Sequence, residues 1–115
     1  MKRYRGILFI ERDQLARLTG GSNDAIWDVR LQDGRLVVVW SGGRQGGVEL
    51  KKVRDEAKLD SSLPAPTLAF VGDPQGQAVG LLFEASTPLP GLQYVEPHSV
   101  VFPMGWLTPN GLRQA

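Results

Sequence analysis

The chain contains no cysteine and a single histidine, His98. The lack of cysteine excludes disulfide bonds, thiolate zinc sites, iron–sulfur clusters and cysteine nucleophiles. A metal site built with one histidine would need a cage of carboxylates, and the acidic residues lack the spacing of a calcium-binding loop. We therefore expect no metal and no covalent cross-link in this fold.

Long apolar runs and a strong net charge are also missing. The apolar run from Ile7 to Ile10 is too short for the core of a signal peptide, and no stretch approaches the length of a membrane span. We expect a cytoplasmic protein that does not enter a membrane. The formal net charge of +1 points to no particular class of partner.

The charges are nevertheless unevenly distributed. Residues 1–58 carry twelve of the thirteen basic and eight of the twelve acidic residues, a balance of +4, whereas residues 59–115 have a balance of −3. Prolines in the segment SSLPAPT block both helix and central strand. We predict a single domain over residues 1–115, with a basic half at 1–59, a connector at 60–66 and a charge-poor β half at 67–115.

The chain is rich in glycine and proline, with 14 and 8 residues. Both favour turns and short strands linked as hairpins. The predicted fold is an α+β domain around one mainly antiparallel, strongly bent sheet, or a small and partly closed barrel. We expect about six to seven strands and one or two short helices.

The first elements follow from local pattern. Tyr4 to Ile10 is rich in strand formers and predicts a strand. Leu15 and Leu18 then lie one turn apart before the Gly20-Gly21 pair, which predicts a short helix lying on a sheet. The segment Val48–Leu59 has a helical apolar spacing, although a strand over Val48–Val53 fits its short apolar run as well.

Asp33-Gly34 is the dipeptide that a two-residue type I′ hairpin turn requires. The turn fixes the pairing of the two flanking strands and places Trp27 opposite Trp40. The pairs expected from this register, starting at the turn, are Gln32 with Arg35, Leu31 with Leu36, Val29 with Val38 and Trp27 with Trp40.

A second hairpin is predicted around Asp73-Pro74-Gln75-Gly76. If Gly72 faces Gln77, Phe70 pairs with Val79 and Leu68 with Leu81. The remaining chain predicts short strands interrupted by Pro97 and Pro103, which edge strands and bulges tolerate.

The glycine-rich stretch SGGRQGG is the first place to look for a ligand site. It lacks the lysine and Ser/Thr of nucleotide-binding loops and the glycine spacing of the dinucleotide fingerprint, so we expect a connector loop and no cofactor. Its neighbours are more informative. Arg44 in this loop, with Trp40 at its base and Trp27 across the strand, predicts a ligand-binding site for a small anionic or aromatic molecule or for a protein partner. Paired tryptophans on one sheet face are also typical of a core, and that alternative stays open.

Three functional hypotheses remain open from the sequence. The first is a non-enzymatic binding or adaptor module, acting as a homodimer, with its site at Trp27, Trp40 and Arg44. The second is nucleic-acid binding through the basic half, with six side chains gathered on one side: Arg3, Arg5, Arg12, Arg17, Lys51 and Lys52. The third is a small hydrolase or isomerase that uses His98 with Glu84, Glu96 or Asp73.

Overall fold

The computed structural model describes residues 4–21, 24–59, 63–71, 78–85 and 100–113. This part of the chain forms an α+β domain with two helices and eight strands in two mostly antiparallel sheets, so the predicted fold class is confirmed. The sheets do not close into a barrel. The strands are β1 (Tyr4–Glu11), β2 (Ile26–Gln32), β3 (Arg35–Trp40), β4 (Gln45–Glu49), β5 (Thr67–Val71), β6 (Ala78–Ala85), β7 (Val100–Thr108) and β8 (Gly111–Arg113), and the helices are α1 (Arg12–Thr19) and α2 (Leu50–Glu56).

The small sheet has three strands in the order β2-β3-β4. Its first turn is the predicted type I′ turn, because Asp33 and Gly34 have φ angles of 52° and 74°. The register next to the turn is also confirmed: Gln32 faces Arg35, Leu31 faces Leu36 and Val29 faces Val38. Leu36, Val38 and Trp40 of β3 all point into the core.

The predicted pairing of Trp27 with Trp40 is wrong. The register of β2 shifts between Ile26 and Asp28, so Ile26 faces Trp40 while Asp28 faces Val39. Trp27 is the extra residue of this β-bulge. The Asp33-Gly34 dipeptide carries no signal for a bulge of this kind. The bulge redirects one side chain and leaves the pairing in the rest of the hairpin unchanged.

The glycine-rich stretch is a hairpin rather than a connector that leads into a helix. The amide of Gly43 donates to the carbonyl of Trp40 at 2.8 Å, and the amide of Trp40 donates to the carbonyl of Arg44 at 2.8 Å. Gly43 has a φ of 84°, which suits the left-handed position at the end of such a turn. The chain then forms β4 and passes directly into α2, so the segment 48–59 is first strand and then helix.

The large sheet has five strands in the order β5-β6-β1-β7-β8. Its central strand β1 alternates strictly, with Tyr4, Gly6, Leu8 and Ile10 buried and the residues between them half-buried. Strand β1 pairs antiparallel with β6 and parallel with β7. Pro103 lies within β7, next to a register shift, as expected for proline in a strand, whereas Pro97 lies outside the described residues.

The second hairpin is confirmed at one predicted pair and wrong at the other. Leu68 faces Leu81, but a register shift beyond Leu68 places Phe70 opposite Gly80 rather than Val79. The turn predicted at residues 72–77 lies outside the described residues.

Helix α1 begins and ends close to the predicted positions. Gly20 adopts the left-handed conformation, with a φ of 69°, and the amide of Gly21 donates to the carbonyl of Ala16 at 2.9 Å. The helix contacts strands of both sheets, including β1 and β4. It therefore lies on the inner side of the small sheet, and the described side chains of the opposite face are exposed or half-buried.

One cluster of buried side chains joins the two sheets. It takes Leu8 and Ile10 from β1, Trp40 from β3, Val53 from α2 and Phe83 from β6. Leu63, in the predicted connector, is also buried there, at 4% exposure. The helices and the connector segment 63–66 thus complete the core between the sheets.

Candidate interaction surface

The face of the small sheet that points away from the core is exposed to solvent. We call it the outer face, and the strand register defines its members. They are Trp27, Asp28, Arg30 and Gln32 from β2, Arg35, Val37 and Val39 from β3, and Gln45, Gly47 and Glu49 from β4. Its valines and Gly47 are half-buried and its other side chains are exposed. The outer face is therefore a strip of apolar surface with a polar rim.

Trp27 is the most prominent group on the outer face. Its side chain is 72% exposed, and it is the one large apolar side chain that is exposed among the described residues. The β-bulge at the start of β2 presents this indole, which would otherwise follow the alternation of the strand. A single exposed apolar side chain is common on a monomer, so Trp27 matters because it lies on the same face as the half-buried Val37 and Val39.

Trp27 and Trp40 line one shallow depression, although they do not pair across the strands. The depression has a volume of about 170 Å³ and is also lined by Val39, Ser41 and Gly43. Trp40 is only 1% exposed, so it contributes an edge of its ring and lies mainly in the core. Ligand pockets for small molecules usually measure at least ~300 Å³.

Arg44 lies one residue beyond the depression and does not line it. Its side chain is exposed, and its guanidinium makes no hydrogen bond or ion pair with another residue in the described part of the chain. The structure thus brings the two predicted tryptophans to one depression and leaves the predicted arginine at its margin.

The charged groups of the outer face are balanced. Asp28 and Glu49 carry negative charge, and Arg30 and Arg35 carry positive charge. None of the four forms an ion pair within 4.0 Å among the residues that the structure describes. The outer face therefore offers unpaired charges of both signs around its apolar centre.

A second aromatic pair lies on the large sheet but is covered by its own chain. Phe9 and Trp106 stack with ring centroids 4.5 Å apart and an interplanar angle of 18°. Arg113 lies over the Trp106 ring at 5.9 Å and reaches Glu11 at 3.7 Å. Both aromatic rings are half-buried, so this pair is less available to a partner than Trp27.

The residues of the other two hypotheses lie on several elements or outside the described residues, so both hypotheses remain predictions. His98, Glu96 and Asp73 lie outside the described residues, and Glu84 lies on β6. The basic side chains of the nucleic-acid hypothesis lie on three elements: Arg5 on β1, Arg12 and Arg17 on α1, and Lys51 and Lys52 on α2, with Arg3 outside the described part.

Comparison with protein-family models, curated proteins and solved structures returns no significant match. Within the described ranges, no group of three or more acidic or histidine side chains is arranged to hold a metal ion. No described helix has the length and apolar character needed to cross a membrane.

Sequence reasoning missed two features of this surface. The first is the bulge at Trp27, for which the sequence holds no signal because the register appeared fixed by the Asp33-Gly34 turn. The second is that β4 extends the hairpin to three strands. The alternation of Gly47 and Glu49 with Val48 was a usable signal, since β-strands place alternate residues on opposite faces.

Proposed function

We propose that this protein is a non-enzymatic interaction module that self-associates through the outer face of its small sheet, with Trp27 as the central contact. The observation that carries the proposal is the 72% exposure of Trp27 on a β-bulge. Tryptophan is among the residues that contribute most binding energy in protein interfaces.

The dimensions of the site support a protein partner over a small molecule. A depression of about 170 Å³ is too small to enclose a typical organic ligand. Trp40, at 1% exposure, cannot form a second wall opposite Trp27. A sheet face with one exposed indole is instead suited to another protein surface.

The charges support a second copy of the chain as that partner. A two-fold dimer brings the same surface of both copies together, so it requires a self-complementary surface. Asp28 and Glu49 on one copy can meet Arg30 and Arg35 on the other, and none of these groups is already paired in the described part of its own chain. A nucleic acid would require an excess of positive charge, which the outer face does not have.

The size of the outer face indicates how strongly two copies of the chain should associate. Three strands of five to seven residues present a surface of roughly 15 Å by 20 Å. This is below the area of a stable protein interface, so the dimer belongs to the weak and transient class. We expect half of the chains to be dimeric at a concentration in the micromolar range or above.

Sedimentation velocity of the wild type and of Trp27→Ser across a wide concentration range tests this proposal. The wild type shifts from monomer to dimer as concentration rises. Trp27→Ser needs a concentration about thirtyfold higher or more to reach the same fraction of dimer, because truncating a central tryptophan costs about 2 kcal/mol or more of association energy.

Lys52→Ser is the matched control, since Lys52 is exposed on α2 and lies outside the outer face. It should associate like the wild type. A wild-type chain that remains monomeric at millimolar concentration, or a Trp27→Ser variant that dimerises at the same concentrations as the wild type, would overturn the proposal.

A further inference from the structure

A second concave site lies beside helix α2 and shares no lining residue with the outer face. It is a cavity of about 420 Å³, which is within the range of small-molecule pockets. One wall is a single side of α2, formed by Leu50, Lys51, Arg54 and Asp55. The segment after the helix supplies the opposite wall through Leu59 and Ala65, and the hairpin turn at Gly34 closes one end.

Hydrogen bonds hold these walls in place. The amide of Leu50 donates to the carbonyl of Gly34 at 3.0 Å and ties the helix to the turn. Arg54 donates to the carbonyls of Leu63 and Pro64 at 2.8 and 2.7 Å, which ties the helix to the opposite wall. The site is therefore largely formed before any ligand arrives, and this lowers the cost of binding.

The C-terminal end of α2 fixes the position of Leu59 in the wall that follows the helix. Lys58 has a left-handed φ of 54°, and the amide of Leu59 donates back to the carbonyl of Arg54 at 3.0 Å. This is the arrangement of a helix C-terminal motif that turns the chain sharply. The half-buried side chain of Leu59 lines the cavity, as does that of Leu50.

The chemistry of the lining is amphipathic and carries both signs of charge. Leu50, Leu59 and Ala65 are apolar, and Lys51 and Asp55 lie one helical turn apart at the exposed side. Neither Lys51 nor Asp55 forms an ion pair within 4.0 Å with another residue that the structure describes. An ammonium and a carboxylate that remain apart at this spacing can each bind a group of opposite charge on a ligand.

We propose that this cavity binds a free amino acid with an apolar side chain, whose carboxylate lies at Lys51, whose ammonium lies at Asp55 and whose side chain lies between Leu50 and Leu59. A simple carboxylic acid would leave Asp55 beside its negative charge, and a simple amine would lie beside Lys51. A zwitterion satisfies both groups. Arg54 is a positioning residue for this site, because two of its donors are already used on the connector.

Titration of the amide signals of the protein by NMR with L-leucine tests the proposal. The signals of Gly34, Leu50 and Leu59 shift and saturate. The analogues 4-methylpentanoate and 3-methylbutylamine, which lack the ammonium and the carboxylate respectively, bind about fivefold more weakly, as expected for one exposed ionic contact.

The variants Lys51→Gln and Asp55→Asn separate the two contacts. Each weakens L-leucine binding by about fivefold and removes the preference over one analogue only: Lys51→Gln over the amine and Asp55→Asn over the acid. Lys52→Gln and Glu56→Gln are matched controls on the same helix outside the cavity lining, and they leave binding unchanged.

Either of two results would overturn the proposal. One is the absence of shifts at these amides with L-leucine at millimolar concentration. The other is equal binding of 4-methylpentanoate and L-leucine, which would show that Asp55 takes no part. The outer face is not involved in this test, so Trp27→Ser should bind L-leucine like the wild type.

Discussion

At the scale of single residues, the two tryptophans of the small sheet have opposite environments. Trp40 is 1% exposed in the core cluster, and its indole lies against Gly21, where an added Cβ would overlap the ring. Trp27 is 72% exposed on the outer face. The same residue type therefore stabilises the fold in one position and remains available for a partner in the other.

This contrast gives a prediction for one substitution at two sites. Trp40→Ala should lower the free energy of unfolding by about 3 to 5 kcal/mol, because it removes a large buried side chain and leaves a cavity. Trp27→Ala should change it by less than about 0.5 kcal/mol when the protein is dilute, as for other surface positions. Urea denaturation of both variants at low concentration measures the difference. Equal losses would contradict the placement of the two indoles.

At the scale of elements, the contact between α1 and β4 depends on glycine. Gly46 lies so close to the carbonyl of Thr19, at the end of α1, that a Cβ would collide with it. At Gly47 a Cβ would instead meet the end of the Arg35 side chain, at 3.0 Å from the guanidinium. The two neighbouring glycines face opposite sides of the small sheet, and only Gly46 faces backbone.

Substitution of these glycines by alanine tests the packing of the helix on the sheet. Gly46→Ala should lower the free energy of unfolding by about 1 to 3 kcal/mol, because the helix must shift to admit the methyl group. Gly47→Ala should be neutral or slightly stabilising, since the flexible side chain of Arg35 can move and alanine restricts the unfolded chain. Thermal denaturation compares the two variants. A larger loss for Gly47→Ala would mean that β4 presents its other face to the helix.

The elements also show which features of the fold could be predicted from the sequence. Asp33-Gly34 and Gly20 are local signals with a direct steric meaning, and both predicted the turn and the helix end correctly. The pairing errors at Trp27 and Phe70 both come from bulges, which depend on how strands fit against the rest of the fold. The cavity beside α2 was beyond prediction for a similar reason, because its walls come from a turn, a helix and a connector that meet only in the folded chain.

At the scale of the whole molecule, the two sheets differ in how far the aromatic side chains on their outward faces are covered. The large sheet covers its stacked pair Phe9 and Trp106 with Arg113, whereas the small sheet leaves Trp27 open beside Val37 and Val39. Helix α1 lies on the inner side of the small sheet, and the side chains of the outer face are exposed or half-buried. Trp27 is thus the one large apolar side chain that the described part of the fold leaves exposed.

The most direct test of self-association through the outer face is the quenching of tryptophan fluorescence by acrylamide at several protein concentrations. The account predicts that quenching weakens as concentration rises, because dimerisation covers the exposed indole of Trp27. In Trp27→Phe the remaining signal from Trp40 and Trp106 should be independent of concentration. Wild-type quenching that stays constant up to millimolar concentration would contradict the account, since Trp27 would then remain exposed to solvent.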